Sequence, residues 1–199
     1  MSSLRTIYTR RSIRRYTNQP VASTLIDQLL DAAIWAPSAH NRQPWRFAVL
    51  TTPEAKERLA NQMCARLRAD RLRDGDMIEV VEQDVNRSRE RIVSAPVVII
   101  ACLSMHDMDQ YPDEPRASAE RTMAIQSVSM AIQNLLLTAH SLGLGACWMC
   151  APLFCPDVVR DALSLPGDWE AQALITIGYP TDEGKHKGRT EFRQKTLYL

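Results

Sequence analysis

Residues 117–142 carry the longest apolar-periodic stretch of the 199-residue chain, and no other feature restricts the fold as tightly. Met123, Val128, Ala131, Ile132, Leu135, Leu136 and Ala139 recur at helical spacing and build a wide apolar face, and Gly143 marks the end. A helix of 26 residues runs ~39 Å, so it must cross the middle of a small domain. Its face is broad enough to take a partner subunit as well as a sheet.

Four short strands are predicted around it: Trp45–Leu50, Val97–Leu103, Ala146–Met149 and Ala173–Tyr179. The second, VVIIACL, is continuously apolar, as a strand buried on both faces requires. A helix is predicted over Ser23–Ala36, with Ser23 or Thr24 as its cap and Pro37 behind it. Two more are predicted within residues 54–93, broken near Gly75, with Glu54, Lys56, Glu57 and Arg58 in exposed early turns. Another is predicted over Pro156–Leu163, and His106–Pro115 reads as a polar loop. The order predicts one α+β or α/β domain over residues 1–199 with a sheet of about four strands and one dominant central helix, and of the two the α+β class is expected.

Charge and cysteine content narrow the function. Lys+Arg 24 against Asp+Glu 23 leaves a net charge of +1, without the basic excess of a nucleic-acid binder. No apolar run spans a membrane and the first residues lack a signal-peptide core, so a cytoplasmic location is expected. Five cysteines at irregular spacing suit reduced thiols. Neither GxGxxG nor GxxxxGK[ST] occurs. A bound nucleotide would therefore be held by side chains.

Four segments carry chemistry. RRSIRR puts the guanidiniums of Arg10, Arg11 and Arg14 around the Ser12 hydroxyl, a donor set suited to a phosphate dianion. APSAHNRQPW crowds Ser38, His40, Asn41 and Gln43 behind Pro37, and such amides can read the polar edge of a planar heterocycle. GLGACWMCAPLFC holds a CxxC at Cys147 and Cys150, with Cys155 beyond it. A redox dithiol, a partial metal site or small buried thiols all fit that spacing. KHKGRTEFR could bring Lys187 and Arg189 over a phosphate. Taken singly, the basic clusters equally suit solvated surface. The four histidines lie far apart and no HExxH occurs, so no metal site is expected. No nucleophile, acid or base stands out and no catalytic side chain is assigned, a pattern that suits a cofactor carrying the chemistry itself.

Together and in this order, RRSIR, PSxxNxQPW, a long helix running into GLGxCW, and a basic C-terminus resemble the FMN-dependent nitroreductase family. The resemblance implies a three-layer α/β/α sandwich with a central mixed sheet, a homodimer, and FMN at the subunit interface. It implies that Arg10, Arg11, Ser12 and Arg14 hold the phosphate and ribityl chain, with Lys187 and Arg189 at the phosphate. Pro37, Ser38, Ala39, Asn41 and Gln43 match the segment that reaches FMN from the other subunit, and Met149, Cys150 and Ala151 match the backbone facing the flavin. The implied activity is ping-pong hydride transfer from NAD(P)H to a small nitro, quinone or unsaturated acceptor. Cys150-Ala151 departs from the glycines or Glu-Gly pair often found there. RSRERIVSAPVVIIACLSM, YPDEPRASAERTM and the stretch 153–180 also resemble the C-terminal flavin domain of the bifunctional F-420 glutamate ligase of actinobacteria. That likeness implies a stand-alone reductase of the dehydro precursor of that coenzyme. A non-catalytic flavin-binding protein is the alternative of another class.

Overall fold

The computed structural model describes residues 3–199. Six α-helices and four strands follow in the order α1 (Ser3–Thr9), α2 (Ser23–Ile34), β1 (Trp45–Leu50), α3 (Pro53–Arg73), α4 (Ile78–Val93), β2 (Val97–Leu103), α5 (Glu114–Ser141), β3 (Gly145–Met149), α6 (Pro156–Leu163) and β4 (Glu170–Gly178). The sheet order is β1-β2-β4-β3, with every named pair antiparallel. The parallel component of the expected mixed sheet is confined to a single bridge, Ser12 to Ala146.

Strand β2 organises both layers around the sheet. All seven of its residues are buried. Val97, Ile99, Ala101 and Leu103 enter one core, with Leu29 and Ala33 of α2 and Val128, Ile132 and Leu135 of α5. Val98, Ile100 and Cys102 enter the other, with Leu59 and Met63 of α3 and Val159 of α6. This alternation is the period of two that any strand imposes. A register shift between Ala101 and Cys102 leaves Gln172 of β4 without a counterpart and keeps the inward alternation on both sides of it.

The central helix has 28 residues and begins at Glu114, where Asp113 Oδ1 accepts from the Arg116 N–H at 3.1 Å. It ends in a Schellman turn. Leu144 N–H bonds Ala139 O at 2.8 Å, Gly143 N–H bonds His140 O at 3.2 Å, and Gly143 takes φ +77°. The chain therefore turns straight into β3. In the 54–93 region α3 and α4 form a hairpin about Gly75, clamped by bidentate Arg68–Glu82 and by Arg71–Asp84 at 2.8 Å.

Three local expectations are corrected. Helix α2 has Ala22 at its N-cap with no side-chain bond, so neither Ser23 nor Thr24 caps it. Lys56 is buried, because its Nζ reaches the Ala95 carbonyl at 2.7 Å, and desolvation holds its pKa below the usual lysine range. Helix α1 lacks apolar periodicity and was not expected. It packs on α5 with Thr6 buried, and Thr9 Oγ1 lies 2.8 Å from His140 Nε2. No described helix is long and apolar enough to cross a membrane.

The segment after α1 is laid against the sheet's end. Ile13 N–H bonds Ala146 O at 3.0 Å, Thr17 N–H bonds Tyr179 O at 2.8 Å, and Thr181 N–H returns to Arg15 O at 3.2 Å. Gly145 permits the approach, since a Cβ there would stand 2.7 Å from Ile13 Cγ2. Gly145→Ala should thus cost about 1–3 kcal/mol of stability through overpacking, measured by urea unfolding. A variant as stable as the parent would show that Ile13 yields freely.

Candidate active site

The backbone seating of residues 12–17 has an electrostatic consequence. Arg10, Arg11, Ser12, Arg14, Arg15 and Tyr16 become one wall of a cavity of about 940 Å³. The C-terminal segment supplies a second wall with Asp182, Gly184, Lys185, Lys187 and Arg189. Helix α4 supplies a third with Arg87, Glu90, Arg91 and Ser94. Nine cationic side chains thus face one space that offers two carboxylates. Among the described residues only Arg87 of the nine has a carboxylate partner, Asp84.

The cations feel one another. Burial, then Arg189 and Arg11, holds Arg10 below its usual pKa, so the two ends of the chain meet here. Burial, then Arg14 and Arg87, does the same to Arg91. His140 beneath α1 is also lowered, by burial and then by Arg10 and Arg11. Such a cavity gains stability from an anion and loses it from further cations.

The individual side chains differ. Arg11 Nη1 donates to the Tyr8 and Arg10 carbonyls at 2.7 and 2.8 Å, and Nη2 lies 3.3 Å from His186 Nδ1, while the buried Nε has no partner. Part of Arg11 is therefore spent on holding its own turn. Arg189 Nη1 donates to the Lys187 and Gly188 carbonyls, both at 3.2 Å. The Tyr16 hydroxyl sits 2.6 Å from Ile13 O and 2.8 Å from Thr176 Oγ1, and burial pushes its pKa up, so it remains a neutral prop.

A second cavity of about 490 Å³ lies between α3, α4 and the turn after β3. Met149, Ala151 and Leu174 line it with Met63 and Phe154, and Arg91 borders both cavities. Cys150, on neither wall, is exposed. All five cysteines are free thiols. Burial raises the pKa of Cys64, Cys147 and Cys155, and pushes Cys102 up to about 12. In the CxxC region, Met149 and Ala151 thus line the second cavity, Cys150 lines neither of the two, and the raised pKa of buried Cys147 is the opposite of what an activated thiol needs.

The remaining predicted residues, Pro37, Ser38, Ala39, Asn41 and Gln43, line neither cavity of their own chain. They form a tight turn in which Ser38 Oγ accepts from Gln43 N–H at 3.1 Å and Ser127 Oγ of α5 accepts from Ala39 N–H at 3.3 Å. His40, Asn41 and Gln43 adopt φ of 48°, 54° and 51°. Three residues in the left-handed region within one turn mark a segment held in shape by its surroundings. Arg87 and Arg91 were missed because α4 reads in sequence as a solvated charged helix.

The sequence profile of the nitroreductase family matches residues 7–179. A Methanothermobacter thermautotrophicus protein provisionally named NADH dehydrogenase/NAD(P)H nitroreductase is 33% identical over 184 residues, covering 92% of this chain and 79% of the relative. An NADH dehydrogenase of Thermus thermophilus is 30% identical, covering 95% and 92%. A crystal structure of a provisionally named nitroreductase in complex with FMN from Desulfovibrio desulfuricans aligns over 100% of this chain and 97% of its own at 28% identity, with a TM-score of 0.76. A BluB-like flavoprotein of Clostridium difficile reaches a TM-score of 0.84 over 100% and 99% at 23% identity, which shows a shared fold alone. With the profile spanning most of the chain and these relatives matching along nearly all of it, this protein belongs to the nitroreductase family.

Proposed function

We propose that this protein is an FMN-dependent oxidoreductase whose cationic cavity holds the flavin phosphate. One observation carries the reading: three distant segments converge nine cations on one space, with an orphaned Arg11 Nε among them. That donor set fits a phosphate monoester and has no use in an empty groove. Arg10, Arg11, Ser12 and Arg14 would hold the phosphate and ribityl chain, with Lys187 and Arg189 closing over it. The chemistry FMN supplies when bound is hydride exchange between NAD(P)H and a small nitro, quinone or unsaturated acceptor.

The chain's own groups position and polarise. Arg91 joins the phosphate cavity to the one beside Met149 and Ala151. Its charge, with that of Arg14 nearby, would help hold the anionic part of a bound cofactor. Met63, Leu67, Ile92, Met149, Phe154 and Leu174 give the second cavity apolar surface for a flat acceptor, beside the charges of Arg66, Asp70, Arg71, Asp74 and Arg91.

Purified protein should be yellow, release FMN on heating, and oxidise NAD(P)H with a nitroaromatic or quinone. Chromatography of the released flavin and steady-state kinetics check this. Bound flavin without turnover on any acceptor would make it a binding protein. Turnover confined to the dehydro precursor of coenzyme F-420 would favour the narrower reductase reading.

Arg14 is the better test of the phosphate site, because Arg11 also holds its own turn. A charged hydrogen bond to phosphate contributes roughly 1.5–3 kcal/mol, so Arg14→Ala should weaken FMN binding about tenfold to a hundredfold with little change in Tm. Flavin occupancy on dilution measures it, and unchanged occupancy would place the phosphate elsewhere.

The 37–43 turn reaches neither cavity of its own chain, and Ile34, Trp35, Ile125 and Met130 leave apolar surface exposed on α2's end and α5. A homodimer in which each turn serves the partner's flavin accounts for both. Light scattering should report a dimer, and an active, flavin-loaded monomer would refute it.

A further inference from the structure

Glu120 on α5 is wholly buried. Its Oε1 accepts one hydrogen bond, from Asp109 N–H at 3.2 Å. Its Oε2 is buried and has no partner among the described residues. A carboxylate oxygen shut away from water with no hydrogen-bond donor is costly. Two side chains able to ligate a metal lie beside it: His40 from the 37–43 turn and Asp109 from the loop before α5. One donor atom from each of the three lies within 4.8 Å of the others. His40 is exposed and Asp109 half-buried, so the group opens to solvent on one side and is floored by Glu120. Arg42 pairs with Asp109 and leaves the second oxygen of Glu120 unserved.

We propose that His40, Asp109 and Glu120 form a binding site for a divalent transition-metal ion. One imidazole nitrogen and two carboxylate oxygens are a mixed donor set that suits Mn²⁺ or Zn²⁺ and leaves positions for water. Metal–ligand bonds of about 2.0–2.2 Å bring neighbouring donors to roughly 3–3.5 Å, so side-chain rotations of about an ångström close the site. The ion neutralises Glu120 and ties the strained 37–43 turn to α5. Its influence on flavin binding rests on the functional reading above; the metal site itself does not. Sequence spacing conceals the group, because its members come from a turn, a loop and a helix far apart in the chain.

The test is titration of the purified holoprotein with MnCl₂, with free Mn²⁺ followed by electron paramagnetic resonance. Mn²⁺ is chosen because the free thiols compete poorly for it. About one Mn²⁺ should bind per chain, and His40→Ala and Glu120→Gln should each weaken it at least tenfold. Glu120→Gln keeps the size and the acceptor for Asp109 N–H; circular dichroism checks its fold, and surface-exposed His40 carries the test if it fails. No binding in the parent, or equal binding in the parent and His40→Ala, overturns the proposal. So does an infrared carboxylic-acid stretch that persists at saturating Mn²⁺ and vanishes in Glu120→Gln, because a proton then does the metal's work. Flavin content is read separately from the visible spectrum, so loss of the FMN reading leaves the Mn²⁺ count interpretable.

Discussion

Strand β2 has no polar side chain and no exposed residue, and the two cores are built on its opposite faces. Its antiparallel partner β4 carries β3, and β3 offers Ala146 O to Ile13 N–H. The arginine wall of the cavity is thereby hung from the most buried strand through a short series of backbone hydrogen bonds. A main-chain anchor of this kind frees the Arg10 and Arg14 side chains from structural duty, whereas Arg11 divides its donors between turn and cavity.

The cavity is a concentration of like charge that the fold tolerates. Arg10 and Arg91 are both held below their usual pKa by burial and by neighbouring cations. That repulsion opposes folding of the anion-free protein and favours any anion that enters. Binding and stability are then linked, because a ligand that binds only the folded state stabilises it by mass action. The same logic applies in reverse at Glu120, where an isolated buried carboxylate calls for positive charge.

Periodicity made much of the fold legible. The apolar run of β2, the wide face of α5 and the break at Gly75 all register in the sequence because each element's repeat matches its burial. What escaped was set by neighbours. Lys56 is buried by one carbonyl at 2.7 Å, which no helical pattern announces. Helix α1 depends on packing against α5 rather than on its own spacing. Among the residues lining the cavity, the basic clusters at 10–14 and 187–189 were visible as clusters, whereas Arg87 and Arg91 were hidden in a helix whose charges looked solvated.

By itself the sequence determined the element types, the α+β class, the absence of a glycine-rich nucleotide cradle and the basic clusters at 10–14 and 187–189. These follow from local periodicity and side-chain chemistry, which are carried in short windows. Only the tertiary structure decided that residues 10–16, α4 and 182–189 share one cavity, that the 37–43 turn stands apart from it, and that His40 meets Glu120. Those relations depend on strand order and on hydrogen bonds between residues distant along the chain. The pairings of β3 with β4 and of Ile13 with Ala146 create them, and no window of sequence contains both partners.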